Sequence, residues 1–258
     1  MEARRNEVLE MVARQGYVSI EEIARHFKVT LQTIRRDINE LAGLGLLQRH
    51  HGGASLPSSV ENVAYDRRQI LHRDEKKALA ATLAEHIPDN ASLFINIGTT
   101  TEAVASALLT NHKGLRIITN NLNVASMLSD KEDFEVVVTG GVVRCRDKGL
   151  TGEAALNMIG QFRVDYGIIG ISAIDTDGTL LDYDYREVQV AKAILANSRK
   201  VLLAADQSKV GRNAMVRLGH LSDIHGWYTD KMPKQPLLGV VEQADMKIHV
   251  AEASTPAP

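Results

Sequence analysis

Hydrophobic and polar positions in the first fifty residues recur with the spacing of three short helices. The first is expected over residues 4–15, and Ser19 with Glu22 three positions later is a capping box that begins the second. Thr30 is the expected N-cap of a third helix over residues 31–41, after a tight turn. Two helices around a short turn are typical of a helix-turn-helix.

The third helix is expected to have one buried and one exposed face, because its apolar residues recur at intervals of three and four. The expected buried stripe is Leu31, Ile34, Ile38 and Leu41. The opposite face carries amide, hydroxyl and guanidinium groups that can contact base edges and phosphates in a DNA groove. On this helix and the turn before it, the residues expected to contact DNA are Lys28, Thr30, Gln32, Thr33, Arg35, Arg36 and Asn39.

A glycine-rich turn and a short strand follow the third helix. Gly43 and Gly45 should end the helix, and residues 46–53 predict a strand and a loop tip that would form a wing. A metal site at the two adjacent histidines is disfavoured because neighbouring side chains diverge and no third ligand follows. From the pattern alone, a small helical domain that docks a protein remains an alternative. Residues 1–53 contain eight basic and seven acidic residues, so their net positive charge is too small to favour DNA by itself. The wing residues expected to contact DNA phosphate are Arg49, His50 and His51.

Beyond a small polar stretch at residues 54–63, strands and helices alternate. Such alternation predicts an α/β domain whose mostly parallel sheet is covered by helices. Asp177-Gly178 is expected to form a turn between two short extended pieces. The expected strands are residues 92–97, 115–119, 134–139, 164–170, 200–205 and 224–229. The expected helices are residues 65–86, 100–109, 122–128, 153–160 and 185–197.

Glycine and small polar residues follow the expected strands, whose carboxyl ends lie along one edge of a parallel sheet, where ligands bind. Thr99 and Thr100 stand at a helix start that favours an anion, and Lys209 supplies a positive charge. The pattern predicts a phosphate cradle, with Asn120 and Asp175 available for ligand hydroxyls. The complete expected site is Gly98, Thr99, Thr100, Asn120, Gly140, Gly141, Gly170, Ser172, Asp175, Asp206 and Lys209.

The composition is that of an ordinary globular protein, with 44% hydrophobic and 24% charged residues in a chain of 258. It excludes a largely disordered, collagen-like or coiled-coil chain. Apolar runs stay short of the ~18 residues that a membrane helix needs, and we expect no secretory signal. Since the single cysteine, Cys145, cannot form an internal disulfide, a cytoplasmic location is expected. The net charge of -2 means that nucleic-acid binding must come from a local patch.

Two motifs in the N-terminal part resemble a known family. Residues 33–41 (TIRRDINEL) and 49–54 (RHHGGA) are similar to the DNA-binding domain of the DeoR family of bacterial transcriptional repressors. Residues 75–250 resemble the sensor domain of that family, which is similar in fold to ribose-5-phosphate isomerase and glucosamine-6-phosphate deaminase. The segments that carry this second resemblance are residues 94–100, 161–172 and 208–215.

The resemblance implies a DNA-binding repressor that is released from its operator by a small phosphorylated effector. Within the family the similarity is greatest to members that control glycerol metabolism, which implies glycerol-3-phosphate as the effector and leaves another sugar phosphate as the alternative. An operator-binding homo-oligomer, either a dimer or a tetramer, is expected. The implied division is a winged helix-turn-helix domain over residues 1–57, a linker over 58–74 and the sensor domain over 75–250.

The fold class also includes enzymes, so a sugar-phosphate isomerase is the alternative function. Such isomerases carry an acidic stretch where this sequence has residues 169–173 (IGISA), and proton abstraction needs a base. We therefore expect no enzymatic activity, no cofactor and no metal. Cys145 is expected to be an ordinary loop thiol. Because their spacing matches no calcium loop, four acidic residues are expected to be solvated in turns: Asp175, Asp177, Asp182 and Asp184.

Overall fold

The computed structural model describes residues 2–50, 52–56, 62–244 and 246–251. Its N-terminal part consists of three helices and a three-stranded antiparallel sheet. The elements are α1 (Glu2–Gln15), β1 (Tyr17–Ser19), α2 (Ile20–Phe27), α3 (Leu31–Gly43), β2 (Gln48–Arg49) and β3 (Gly53–Ser55). β2 pairs with β3 to form the predicted wing, and β1 pairs with the other edge of β3. The predicted winged helix-turn-helix is confirmed.

Side-chain caps begin both helices of the helix-turn-helix. The Ser19 hydroxyl accepts a hydrogen bond from the Glu22 amide at 3.1 Å, and the Thr30 hydroxyl accepts one from the Thr33 amide at 3.2 Å. Between the helices Lys28 adopts a left-handed conformation with φ of 53°, which reverses the chain over a single residue. These local signals explain why both helix starts could be predicted correctly.

The third helix departs from its prediction in two respects. It continues through Gly43, and the left-handed turn comes at Gly45, whose φ is 74°. Leu31, expected in the buried stripe, is 39% exposed because the first turn of α3 extends past the apolar core of the domain. The buried positions of this helix are Ile34, Asp37, Ile38 and Leu41.

A buried carboxylate joins α1 to α3. Asp37, only 2% exposed, accepts hydrogen bonds from Arg4 Nε at 2.7 Å and from Arg5 Nε at 3.3 Å. Burial by itself would raise the pKa of Asp37, but the two guanidinium groups outweigh burial and hold this pKa below its ordinary value. The apolar periodicity could not reveal this position, because its partners are distant in the sequence.

Two helices, rather than the single one predicted over residues 65–86, lead into the second part of the chain. They are α4 (Tyr65–Ile70) and α5 (Arg73–Ala84). The break is at His72, whose φ of 54° cannot continue a right-handed helix, and Lys76 Nζ donates to two main-chain carbonyls of the bend. Residues 58–61 of the predicted linker, and residue 57 before them, lie outside the described residues.

Seven parallel strands form the central sheet of this second part, which confirms the predicted α/β class. The strands are β4 (Ser92–Ile95), β5 (Arg116–Thr119), β6 (Glu135–Val138), β9 (Val164–Ile169), β12 (Ser198–Ala204), β14 (Gly226–Thr229) and β15 (Lys247–Val250). Their spatial order is β15-β14-β12-β9-β4-β5-β6, so the direction of winding reverses between β4 and β9. In such sheets the ligand crevice lies outside the carboxyl ends of the two strands at the reversal.

Helices cover both faces of the sheet, and each face has its own apolar core. Successive residues of β4 alternate between the cores, with Leu93 and Ile95 facing one and Phe94 facing the other. One face carries α5, α6 (Thr99–Asn111) and α7 (Leu122–Leu128). The other carries α8 (Glu153–Ile159), α9 (Tyr185–Ala196) and α10 (Leu237–Gln243).

Two small antiparallel units lie beside the main sheet. They are the hairpin of β7 (Val142–Val143) and β8 (Leu150–Thr151), and a sheet of β10 (Ala173–Ile174), β11 (Thr179–Asp182) and β13 (Val216–His220). The turn predicted at Asp177-Gly178 connects β10 to β11 and is confirmed. The sequence patterns missed β7, β8, β13, α10 and β15. In the described part of the chain, none of the helices is long and apolar enough to cross a membrane.

Candidate functional site

The outer face of α3 is polar and exposed. Gln32, Arg35, Arg36 and Asn39 are all exposed on it, while Thr33 is half-buried against the Thr30 cap. The guanidinium of Arg36 is 3.4 Å from a carboxylate oxygen of Glu40 one turn later, an exposed pair that contributes little to stability. These side chains are therefore free to exchange water for base edges or phosphates.

The wing is connected to the end of this exposed face. Arg49 Nη1 donates a hydrogen bond to Asn39 Oδ1 at 3.1 Å, which places a wing guanidinium beside the third helix. The His50 ring is 2.8 Å from the hydroxyl of Ser55, and it lies 5.8 Å from the Tyr17 ring. Lys28 is exposed at the turn before α3, and His51 lies outside the described residues.

The crevice between β4 and β9 contains a cavity of ≈ 10 Å³. Asn96, at its wall, joins the two strand ends by accepting a hydrogen bond from the Gly170 amide at 3.0 Å. Asn120 is fully buried at the same cavity and donates to the carbonyl of Leu150 at 3.0 Å. Its Oδ1 has no hydrogen-bond partner within the described ranges, so it is an acceptor that a ligand hydroxyl can satisfy.

The predicted Gly-Thr-Thr motif follows directly after this cavity wall. Gly98 has a φ of 151°, in a region that favours glycine, and it is the N-cap of α6. Among the described residues no side chain caps this helix start, so no side chain competes with a ligand for the amides of Thr99 and Thr100. Thr101, which the sequence pattern did not single out, fixes the turn by donating to the carbonyls of Asn96 and Gly98.

Ser172 reaches the crevice from the other side, after β9. Its hydroxyl donates to Asp182 Oδ1 at 2.8 Å and accepts from Asn62 Nδ2 at 3.0 Å. Asp182 was expected to be solvated, but it lines the cavity, and burial raises the pKa of its carboxyl. The expectation also fails for Asp184, which caps α9 and pairs with Arg144 at 3.0 Å.

Only Asn120 and Gly170 of the predicted effector residues line this cavity, and three others are exposed away from it. Gly140 and Gly141 are exposed after the edge strand β6, where Gly141 approaches the backbone of Thr151 at the β7–β8 hairpin. Asp175 is exposed in the turn between β10 and β11, where its carboxylate accepts from the Thr176 amide at 2.6 Å. The structure therefore brings together only part of the predicted set.

Lys209 lines a second cavity of ≈ 20 Å³, between the second part of the chain and the end of α3, and the carboxylate of Asp206 is close enough to affect its charge. Four lysine and arginine side chains line this cavity, and its lining also includes Gly43, Leu44 and Gly45. Its cationic residues are Arg68, Lys76, Lys209 and Arg212. Such a concentration of positive charge suits a phosphate.

The charges at this second cavity are strongly shifted by burial. Burial lowers the pKa of Lys209 to about 8, although neighbouring Asp206 opposes the shift. Burial would raise the pKa of Asp206, but Lys209 and the amide of Ser208 outweigh it and hold that pKa below its ordinary value. Burial also lowers the pKa of Lys76. An anion placed here would favour the charged form of both lysines.

Sequence reasoning missed a buried carboxylate one turn inside α6. Glu102 is 9% exposed and accepts hydrogen bonds from the Tyr65 hydroxyl at 2.7 Å, from Asn121 at 3.1 Å and from Asn123 at 3.0 Å. The signal was present in the sequence, because Glu102 falls on the apolar face of its helix, where an unpaired acid would be costly.

A second missed cluster surrounds Arg144. Its guanidinium contacts Asp147 at 2.5 Å, and it also contacts Asp184 and Glu187. Burial, with Asp182 nearby, raises the pKa of Glu187, which lines the cavity beside β4. Cys145 is exposed next to this cluster. In the described ranges no group of three or more His, Cys, Asp or Glu side chains is arranged to hold a metal ion.

Arg212 connects the two parts of the molecule. It is 8% exposed, and its guanidinium packs on Gly45 at the end of α3. Its Nε has no hydrogen-bond partner among the residues that the structure describes. Together with Arg49 and Arg67 it lines a cleft of ≈ 590 Å³ between the winged domain and the α/β domain. The loop that carries Lys209 therefore contacts the base of the third helix.

These features define a two-domain protein in which a winged helix-turn-helix is joined to an α/β domain with a polar, partly cationic crevice. The DeoR-like helix-turn-helix domain matches residues 4–60, and the DeoR C terminal sensor domain matches residues 71–231. The chain belongs to the DeoR family of transcriptional regulators, as its motifs predicted.

Among its relatives, the chain is 52% identical to the glycerol-3-phosphate regulon repressor of Escherichia coli, over 96% of this chain and 98% of the relative. It is 53% identical to the glycerol-3-phosphate regulon repressor of Haemophilus influenzae, over 90% of each chain. Both of these relatives are repressors that match nearly the whole chain.

Two solved structures align with this chain at low sequence identity. The eIF2B beta of Chaetomium thermophilum aligns with a TM-score of 0.50 and 13% identity over 97% of this chain and 87% of that chain. A ribose 5 phosphate isomerase A from Neisseria gonorrhoeae aligns with a TM-score of 0.40 and 20% identity over 54% of each chain.

Proposed function

We propose that this protein represses genes of glycerol and glycerol-3-phosphate metabolism, and that it leaves its operator when it binds glycerol-3-phosphate. The observation that carries the proposal is the 52% identity to a glycerol-3-phosphate regulon repressor over 96% of the chain. The effector can shift the protein only if it binds the released arrangement more tightly than the DNA-binding one.

For DNA, the proposed base-reading residues are the exposed Gln32, Arg35, Arg36 and Asn39 of α3. A recognition helix of this kind enters the major groove, where amide and guanidinium groups distinguish base pairs. We assign Arg49 to a phosphate contact because its bond to Asn39 holds the wing at the same surface. The remaining proposed contacts are Lys28, Thr30, Thr33, His50 and His51.

For the effector, we propose that the phosphate binds between the amides at the start of α6 and the cationic cavity of Lys209. The orphan oxygen of Asn120 and the hydroxyl of Ser172 are proposed to bind hydroxyl groups. The other proposed effector residues are Gly98, Thr99, Thr100, Gly170 and Asp206. The positions of Gly140, Gly141 and Asp175 offer less support for the roles predicted for them.

We also propose that the protein works as a regulator without enzymatic activity, since its relatives are repressors. A homodimer or homotetramer on a symmetric operator, and a cytoplasmic location, remain predictions. The proposed division is a DNA-binding domain over residues 1–57, a linker over 58–74 and a sensor domain over 75–250.

The test is a DNA-binding titration. DNA ligands are selected from a random library with the purified protein, and the tightest ligand is labelled for fluorescence anisotropy. Glycerol-3-phosphate should release this DNA at a lower concentration than ribose-5-phosphate or glucosamine-6-phosphate. Release by one of those sugar phosphates instead would support the alternative effector, and failure to select any DNA ligand would contradict the repressor.

A further inference from the structure

The segment between the two domains lies over the ligand crevice. We define residues 62–70, which include α4, as the bridging segment. Asn62 donates to the hydroxyl of Ser172 at 3.0 Å, and Tyr65 donates to Glu102 at 2.7 Å. Both acceptors belong to the sensor domain and lie after or beside strands of the crevice. The bridging segment therefore uses polar groups that a ligand at the sheet edge would also contact.

The Tyr65 hydroxyl makes the contacts of an alcohol. It donates to the carboxylate of Glu102 and accepts from the side-chain amide of Asn123 at 2.8 Å. The same Asn123 amide and that of Asn121 donate to the other oxygen of Glu102, at 3.0 and 3.1 Å. A polyol hydroxyl can replace the Tyr65 hydroxyl at this buried carboxylate, because an alcohol also donates one hydrogen bond and accepts others.

The position of Glu102 relative to the phosphate cradle supports a shared ligand. It lies four residues beyond Gly98, about 6 Å along the axis of α6 from the helix start. The cavity at the crevice measures only ≈ 10 Å³, which is room for about one water molecule. Pockets for small molecules usually measure about 300 Å³ or more. An effector can enter the small cavity itself only if a side chain at this edge moves. Tyr65 belongs to the bridging segment rather than to the sheet, and with Glu187 it also lines a neighbouring cavity of ≈ 330 Å³.

We propose that Glu102, Asn121 and Asn123 form a hydroxyl subsite of the sensor pocket, that Tyr65 occupies it as an internal substitute, and that a polyol phosphate binds by displacing Tyr65. The inference rests on the proposed function, because it concerns the same effector site. Displacement detaches the bridging segment from the sensor domain. The bridging segment leads to the winged domain. The effector hydroxyl and the Tyr65 hydroxyl therefore compete for Glu102, and this competition couples effector binding to the position of the DNA-binding domain.

The test uses Tyr65→Phe in the full-length protein, which removes one oxygen and retains the ring. Tyr166→Phe is the matched control, because Tyr166 packs beside Lys200 near the amino ends of the strands. Affinities for glycerol-3-phosphate and for inorganic phosphate are measured by calorimetry. A hydrogen bond to a charged group contributes roughly 1.5 kcal/mol, so Tyr65→Phe should bind glycerol-3-phosphate about tenfold more tightly. Inorganic phosphate, which has no alcohol group, should bind both variants and the parent equally.

A second variant tests the subsite from the sensor side. In the Tyr65→Phe background, where no tyrosine hydroxyl competes, Glu102→Gln removes the charge that receives the ligand hydroxyl, so it should weaken glycerol-3-phosphate binding about tenfold and leave inorganic phosphate binding unchanged. Equal or weaker glycerol-3-phosphate binding by Tyr65→Phe would overturn the inference while leaving the proposed function intact. Tightening toward both ligands would also overturn it, because that pattern indicates a general opening of the pocket. A parent protein that binds no glycerol-3-phosphate would overturn the proposed function and, with it, this subsite.

Discussion

The charge state of Lys209 should make effector affinity depend on pH. Burial lowers its pKa to about 8 from the ordinary 10.5, which corresponds to about 3 kcal/mol disfavouring the charged form. A bound phosphate dianion needs that charge, so only the protonated fraction of the protein is competent to bind. With a pKa of about 8 this fraction falls roughly eightfold between pH 7.5 and pH 9, and the apparent Kd should rise by the same factor.

Lys209→Met removes the charge while keeping most of the side-chain volume. A charge-assisted hydrogen bond contributes about 1.5–3 kcal/mol, so this variant should bind glycerol-3-phosphate roughly 10- to 100-fold more weakly at pH 7.5. Its remaining affinity should change less between pH 7.5 and pH 9 than that of the parent, with Lys76 as the remaining buried lysine of the cavity. Lys200→Met is the control, because Lys200 is exposed over the Tyr166 ring. The DNA affinity without effector should match the parent in both variants.

The assay is isothermal titration calorimetry in buffers of different ionisation enthalpy, which also counts the protons taken up. Proton uptake on binding should increase as the pH rises through 8, because the folded protein has already released the Lys209 proton. For the same reason the contribution of Lys209 to the free energy of unfolding should rise between pH 8 and about 10.5. Equal Kd values for the parent and Lys209→Met at pH 7.5, or a flat parent profile to pH 9, would refute the assignment of the phosphate to this lysine.

Three further substitutions test the other surfaces. Arg36→Ala should weaken binding to the selected DNA by about 1–3 kcal/mol in fluorescence anisotropy, with an unchanged melting temperature because its pair is exposed; unaltered affinity would count against the assigned face. Asp37→Asn should lower the free energy of unfolding by about 1–3 kcal/mol in chemical denaturation, because it weakens the hydrogen bonds that Arg4 and Arg5 donate. The parent should lose the same amount of stability as the pH falls below about 4, because the folded pKa of Asp37 is depressed. If the parent and Asp37→Asn still differ in stability in acid, the ionised carboxylate is not the source of the stabilisation. Gly98→Val should weaken glycerol-3-phosphate binding but not DNA binding, because a β-branched residue at a φ of 151° costs roughly 1–3 kcal/mol; parent-like effector binding would remove the amides of α6 from the site.

Features with local causes could be predicted from the sequence. The caps at Ser19 and Thr30, the turn at Asp177-Gly178 and the strand–helix alternation after residue 92 depend on contacts within a few residues or on apolar periodicity. The family resemblance could be recognised for the same reason, because residues 33–41 of the third helix form one continuous sequence motif. The parallel sheet followed from these elements because parallel strands require crossover connections.

The features that only the tertiary structure decided depend on partners distant in the sequence. Tyr65 and Glu102 are separated by 37 positions, and Asn62 and Ser172 by 110, so no periodicity reveals that the bridging segment lies over the crevice. The break at His72, which divides the predicted long helix, places that segment at the sheet edge. The strand order decided which glycine-rich strand ends became neighbours, leaving Gly140 at the far edge while Gly170 adjoins Asn96. Periodicity assigns a side chain to a face, but the packing of separate elements determines which polar groups on that face meet.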